Sequence, residues 1–144
     1  MMGVGSKPGS DTTSSGMGIV NGHAYSILDV AIIDGHKLMQ IRNPWGRGEE
    51  WKGDWGDNSD LWTQKRKIEA YNHMKQSGRA LEIGKEDDGN FWMSYNDWFH
   101  NFQTLYLCRF FGEEYTEIFF ESEWSKDKAT AGGCTNFDTF PFNP

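Results

Sequence analysis

The sequence predicts an α+β fold, an antiparallel sheet with flanking helices. Three observations predict it. Residues 23–33 and 37–42 are β-branched and aliphatic runs, separated by Asp34-Gly35, a strong signal for a two-residue hairpin turn. Helical spacing returns only in two later intervals. No strand–helix–strand pattern repeats along the chain, as a parallel sheet would require. With 144 residues there is room for a real core.

The elements follow in order. Met1-Met2-Gly3-Val4-Gly5-Ser6 lacks the charged start and apolar stretch of a signal peptide. Residues 7–18, rich in Gly, Ser, Thr and Lys, read as a mobile loop. His23 to Ile33 reads as a buried strand, and Lys37 to Arg42 alternates as its partner. Residues 44–62 combine Trp, Gly and acidic residues, and read as a compact loop anchored by Trp51, Trp55 and Trp62. Thr63 to Gly78 has helical spacing, with Ile68, Tyr71 and Met74 on one face. Gly89 to Ser94 reads as a short strand. Ser94-Tyr95-Asn96-Asp97 resembles a capping box, with Asp in place of Glu, and opens a helix through Phe102. Trp98 and Phe102 read as core on that helix, and Leu105 to Phe110 as a further strand. Residues 113–144 change character, with charged turns, Gly132-Gly133, Pro141 and Pro144.

Composition narrows the function. The chain carries 14 basic against 21 acidic residues, which disfavours nucleic-acid binding because phosphate neutralisation needs clustered Lys and Arg. No run of about eighteen apolar residues exists to span a membrane. Cys108 and Cys134 are the only cysteines, too few for a disulfide scaffold, which points to a reducing, cytoplasmic setting.

The chemistry concentrates at His23 and Asn43. Histidine supplies a base of near-neutral pKa, and a side-chain amide can fix its tautomer. The expected arrangement places the Asn43 amide on Nδ1–H and leaves Nε2 facing a thiol. Trp45, two residues on, either fills core or shields that pair from water. Pro44 holds Asn43 extended. Register raises a difficulty. If Ile33 pairs with His36, His23 falls opposite Gly46 and Asn43 points to the other face. A three-residue loop, Asp34-Gly35-His36, restores a common face but leaves an offset of about four residues, too long at ~3.3 Å each for a direct bond. Twist, a bulge or a bend near Asn43 must close the gap. Cys108, inside an apolar run, reads as buried core. Neither cysteine precedes a helix as a protease nucleophile does. The segment therefore holds half of an active site.

GHAYSILDV, IRNPWG, EWKGDWGDNSDLW and DGNFWMSYNDW resemble the second half of the calpain protease core, and TAGGCTNFDTFPFNP resembles the opening of the β-sandwich domain that follows it. The resemblance implies a barrel-like half of a papain-like core over residues 1–112 and a truncated β-sandwich over 113–144. It implies a fragment of a calcium-dependent cysteine endopeptidase that contributes His23 and Asn43, supported by Trp45. Alone the fragment is expected to be inactive, because the nucleophilic cysteine lies on the missing half. The implied partners are that Cys-bearing half, the following β-sandwich and protein substrates. The family's calcium site maps to Glu50, Asp57, Asp88 and Asn90, with a backbone carbonyl near Glu86. Classical calpains carry Glu where this chain has Asn90, so one charge is lost and calcium is expected to bind weakly. The other reading of Glu86-Asp87-Asp88 is a solvated acidic loop. The competing function is a non-catalytic calpain-like regulatory or calcium-binding module.

Overall fold

A computed structural model describes residues 2–48, 50–76, 78, 88–108, 112, 115, 116, 118–123, 125 and 127. Strands and helices run in the order β1 (Met2–Ser6), β2 (Ala24–Ile33), β3 (His36–Arg42), α1 (Gln64–Gln76), β4 (Asn90–Ser94), α2 (Tyr95–Asn101) and β5 (Phe102–Leu107). The strands form one sheet in the order β4-β3-β2-β1-β5, and each neighbouring pair is antiparallel. The α+β class and the antiparallel sheet agree with the sequence reading. The chain divides into two compact units, Met1–Arg109 and Phe110–Pro144. All the named elements lie in the first. In the second, Tyr115, Ile118, Phe119 and Phe120 are exposed.

The hairpin between β2 and β3 is the two-residue turn that Asp34-Gly35 signals. Ile33 pairs with His36, and both turn residues have positive φ, 48° and 83°. That is the backbone of a type I′ turn, whose twist matches the flanking strands. Helix α1 grips the turn from outside. Lys65 Nζ and Arg66 Nε donate to the Asp34 carboxylate at 2.7 and 2.9 Å, and the Asp34 N–H donates to Glu69 at 3.0 Å. These bonds, Lys65 foremost, hold the Asp34 carboxyl below its usual pKa.

Leu28 is a bulge. Ile27 pairs with Ile41 and Asp29 with Gln40, so Leu28 is surplus in the ladder. Its effect on packing is large. Tyr25, Ile27, Ala31 and Ile33 are all buried, at odd positions that a regular strand would place on one face. Their partners show otherwise. Ile27 faces Ile41 and Ala31 faces Leu38, which are three residues apart on β3 and so point to opposite faces. The first face carries Val4, Tyr25, Ile27, Ile41, Phe91, Met93 and Phe102. The second carries Ala31, Ile33, Leu38 and Trp92, under Trp55, Trp62, Ala70 and Met74.

Trp51, Trp55 and Trp62 are buried, as expected of loop anchors. Trp51 Nε1 donates to the Asp54 carbonyl at 2.8 Å and Trp62 Nε1 to the Trp55 carbonyl at 2.9 Å. Each ring thus fills core while closing its own loop. The buried side of α1 differs from the expected one. Ala70 and Met74 face inward, while Ile68 and Tyr71 are about half exposed. Three tryptophan rings already occupy this face of the sheet, and the small Ala70 side chain lets the helix approach them. The Ser94 hydroxyl caps α2 as the sequence indicates, accepting from the Asp97 N–H at 3.0 Å and donating to the Asp97 carboxylate at 2.6 Å.

Candidate active site

His23 lies one residue before β2 and Asn43 one residue after β3. The bulge resolves the register difficulty. Below Leu28 the last pair is Ser26 with Arg42, and carrying that register onward sets Asn43 opposite Tyr25. His23 and Tyr25 are two residues apart, so His23 and Asn43 share a face on a diagonal. Such diagonal neighbours are within reach of long side chains. His23 Nε2 and Asn43 Oδ1 stand 3.0 Å apart.

The amide orientation follows from a second bond. The Trp45 N–H donates to Asn43 Oδ1 at 3.1 Å, so that atom must be the carbonyl oxygen. A carbonyl oxygen only accepts, so the proton of the neutral imidazole sits on Nε2 and the Nδ1 lone pair is left for a thiol. The expected roles of the two nitrogens are therefore reversed. The reason is reach. Nε2 lies farther from the backbone than Nδ1 and spans the diagonal.

Asn43 is completely buried, and its turn is tightly held. Its carbonyl accepts from the Gly46 N–H at 3.0 Å, and its N–H donates to the Gly89 carbonyl at 2.8 Å. The indole of Trp45 lies over the His23 ring, with centroids 4.3 Å apart, and Tyr25 meets that ring edge-on at 4.9 Å. Trp45 covers one side of the imidazole while remaining half exposed itself.

Cys108 is exposed beyond β5, not buried in a strand. The preceding Leu107 pairs with Met2, whereas His23 bonds Ser6 at the other end of β1. Four residues of strand at ~3.3 Å each separate the thiol from the imidazole. Cys134 lies outside the described residues.

The acidic positions form a second group. Glu50 Oε1 accepts from the Gly89 N–H at 2.6 Å, which ties the two loops together. Glu50 and Asp57 line one cavity of about 380 Å³ with Lys52 and Ser59. Asp88 Oδ1 accepts from the Asn90 N–H at 2.8 Å, and Asn90 Oδ1 is buried without a hydrogen-bond partner. Glu86 lies outside the described residues. Among the described residues, no three His, Cys, Asp or Glu side chains converge on a metal position. Glu50 and Asp88 thus each accept from a peptide N–H group, and each keeps a second carboxylate oxygen.

Two residues at the site escaped the sequence reading. Gly89 sits where a Cβ would come within 2.9 Å of the Asn43 carbonyl oxygen, and its φ is +81°. Its place after Asp88 marks a turn, but nothing in the sequence connects it to Asn43. Ser6 bonds the His23 backbone from β1 and carries no local signal at all.

Known proteins of one family resemble this chain. A family model described as calpain family cysteine protease matches residues 1–109. Calpain-type cysteine protease DEK1 of Zea mays is 40% identical over 144 residues, covering all of this chain and 6% of its own length. Calpain-A of Drosophila melanogaster is 34% identical over 169 residues, covering all of this chain and 19% of its own. Calpain-1 catalytic subunit of Rattus norvegicus is 36% identical over 139 residues, covering 88% of this chain and 18% of its own. The chain thus spans less than a fifth of each of these relatives.

Proposed function

The chain belongs to the calpain family of cysteine proteases, and we propose that it supplies the His/Asn half of a cysteine endopeptidase centre. The observation that carries this reading is the His23 Nε2–Asn43 Oδ1 bond, which engages Nε2 and leaves the Nδ1 lone pair for a thiol. A thiol placed against Nδ1 gives up its proton to the ring. The thiolate then attacks the scissile carbonyl, and the imidazolium returns the proton to the leaving amine. Water activated by the same nitrogen hydrolyses the acyl-enzyme. Asn43 holds the ring through both steps, and its carbonyl dipole favours the imidazolium. Trp45 limits water at that bond.

The thiol comes from outside these residues, from a Cys-bearing half of the same papain-like core. The sheet described above is the barrel-like half that faces it. Residues 113–144 begin the β-sandwich that follows, and the substrates are proteins. The scarcity of cysteine suits a reducing cytoplasm. Calcium is a weak ligand of the Glu50, Asp57, Asp88 and Asn90 loops, with a backbone carbonyl near Glu86, because Asn90 brings no charge.

A fluorogenic peptide assay tests the proposal. The chain alone in millimolar calcium is expected to cleave nothing. Cleavage that disappears in Cys108→Ala or Cys134→Ala would place the nucleophile within the chain. Supplied with the Cys-bearing half of a calpain core, the chain is expected to support hydrolysis that His23→Ala abolishes. Association without hydrolysis would leave the non-catalytic module.

A further inference from the structure

The regular β1–β2 ladder ends at Gly5 paired with Ala24, one residue short of His23. In an antiparallel sheet the next pair, Ser6 and His23, would exchange two backbone hydrogen bonds. Only one is made, from the Ser6 N–H to the His23 carbonyl at 3.0 Å. The Ser6 hydroxyl replaces the other. The His23 N–H donates to Ser6 Oγ at 2.9 Å, and that hydroxyl donates to the His23 carbonyl at 3.1 Å. A register shift lies beside the substitution. Against β5, Gly5 pairs with Thr104 but Ser6 pairs with Phe102, so Gln103 is surplus in that ladder. The buried Ser6 side chain, 4% exposed, stands where the backbone carbonyl would accept.

We infer that Ser6 is a positioning residue for His23, its hydroxyl fixing the peptide groups on both sides of the His23 Cα so that the ring meets Asn43. The inference rests on the catalytic reading of the His23–Asn43 pair. Both polar groups of the His23 backbone are held by one side chain, which neither Ala nor Gly could do. The imidazole extends from that Cα, and a small tilt there carries Nε2 away from Asn43 Oδ1. A hydroxyl is suited to the task because it accepts and donates at once.

Long-range ¹H–¹⁵N spectra of the His23 imidazole in the labelled chain provide the test. The native chain is expected to show one tautomer, with Nε2 protonated, and a slowly exchanging Ser6 hydroxyl proton close to the His23 N–H. Ser6→Ala is expected to keep its β3–β4 amide spectrum while losing the single tautomer. Ser6→Thr, which retains the hydroxyl, is expected to preserve it. Should Ser6→Ala not fold, Ser6→Cys keeps the volume, weakens both bonds and is expected to mix the tautomers. A folded Ser6→Ala or Ser6→Cys chain with the native tautomer would overturn the inference. So would a rapidly exchanging hydroxyl in the native chain, or a Ser6→Thr chain as mixed as Ser6→Ala. None of these readouts requires a thiol. Inactivity of the assembled protease would sink the catalytic reading and leave the Ser6 clamp standing.

Discussion

The N–H of Asn43 donates to the carbonyl of Gly89 at 2.8 Å, so the candidate catalytic amide is anchored by a loop beyond α1. The same glycine donates its own N–H to Glu50 at 2.6 Å. One peptide segment therefore joins the Asn43 turn to the acidic loop.

Gly89→Ala tests that junction. An added Cβ would lie 2.9 Å from both the Asn43 carbonyl oxygen and the Gly46 Cα, at a φ of +81°. Strain on the order of 1–3 kcal/mol is expected. It should register as a lower melting temperature together with altered His23 imidazole shifts. A drop in melting temperature with an unchanged imidazole would separate the loop from the site.

Asn43→Ala removes the oxygen that both Trp45 N–H and His23 Nε2–H require. Fully buried donors left without an acceptor cost about 1–3 kcal/mol, and these part-buried ones should cost less. Denaturant melts should show the loss. In an assembled protease, hydrolysis should fall roughly a hundredfold, since the imidazole is no longer held in place. Full activity in Asn43→Ala would remove the amide from the mechanism.

Asp34→Asn addresses pH. The Asp34 carboxyl, bonded first by Lys65 and then by Arg66, titrates below its usual 3.8. A lowered folded-state pKa means its contribution is present above that usual value and is lost as pH falls through the lower one. Asp34→Asn should therefore melt earlier than the native chain at pH 7. The gap should begin to narrow as pH falls past about 4, close only below the lowered pKa, and shrink in high salt, because the pair is exposed. A gap that persists in strong acid would show that the carboxylate charge is not the cause.

Calcium titration by calorimetry is expected to give a dissociation constant on the order of 10⁻⁴–10⁻³ M. Asp88→Ala should abolish the heat, and Asn90→Glu should tighten binding. Equal affinity in Asn90→Glu and the native chain would show that position 90 does not reach the ion. Absence of heat, and of any melting shift at ~10 mM calcium, would leave a solvated acidic loop.

Much of this was legible in the sequence, for local reasons. Asp34-Gly35 declares its turn because few residue pairs tolerate two positive φ angles, and Ser94 declares its helix through the capping pattern. His23 and Asn43 declare themselves by residue type. The Leu28 bulge does not, because an unbroken row of buried odd positions reads as one regular face. The choice between Nδ1 and Nε2 depends on that bulge and was hidden with it. The buried side of α1 depends on how much of the sheet the tryptophans fill, which no helical period records. The Ser6 contact joins residues seventeen apart, beside a register shift against β5 that no local pattern records.

The outermost pair of the β1–β5 ladder, Met2 with Leu107, brings the first and last strands of the unit together. Tension applied through both of these residues would load the ladder as a zipper, opening one pair at a time instead of shearing all at once. The pairs would part from Met2 toward Ser6, where β1 holds His23. The imidazole thus lies at the protected end of the zipper, and the strands could begin to peel apart before its geometry was disturbed.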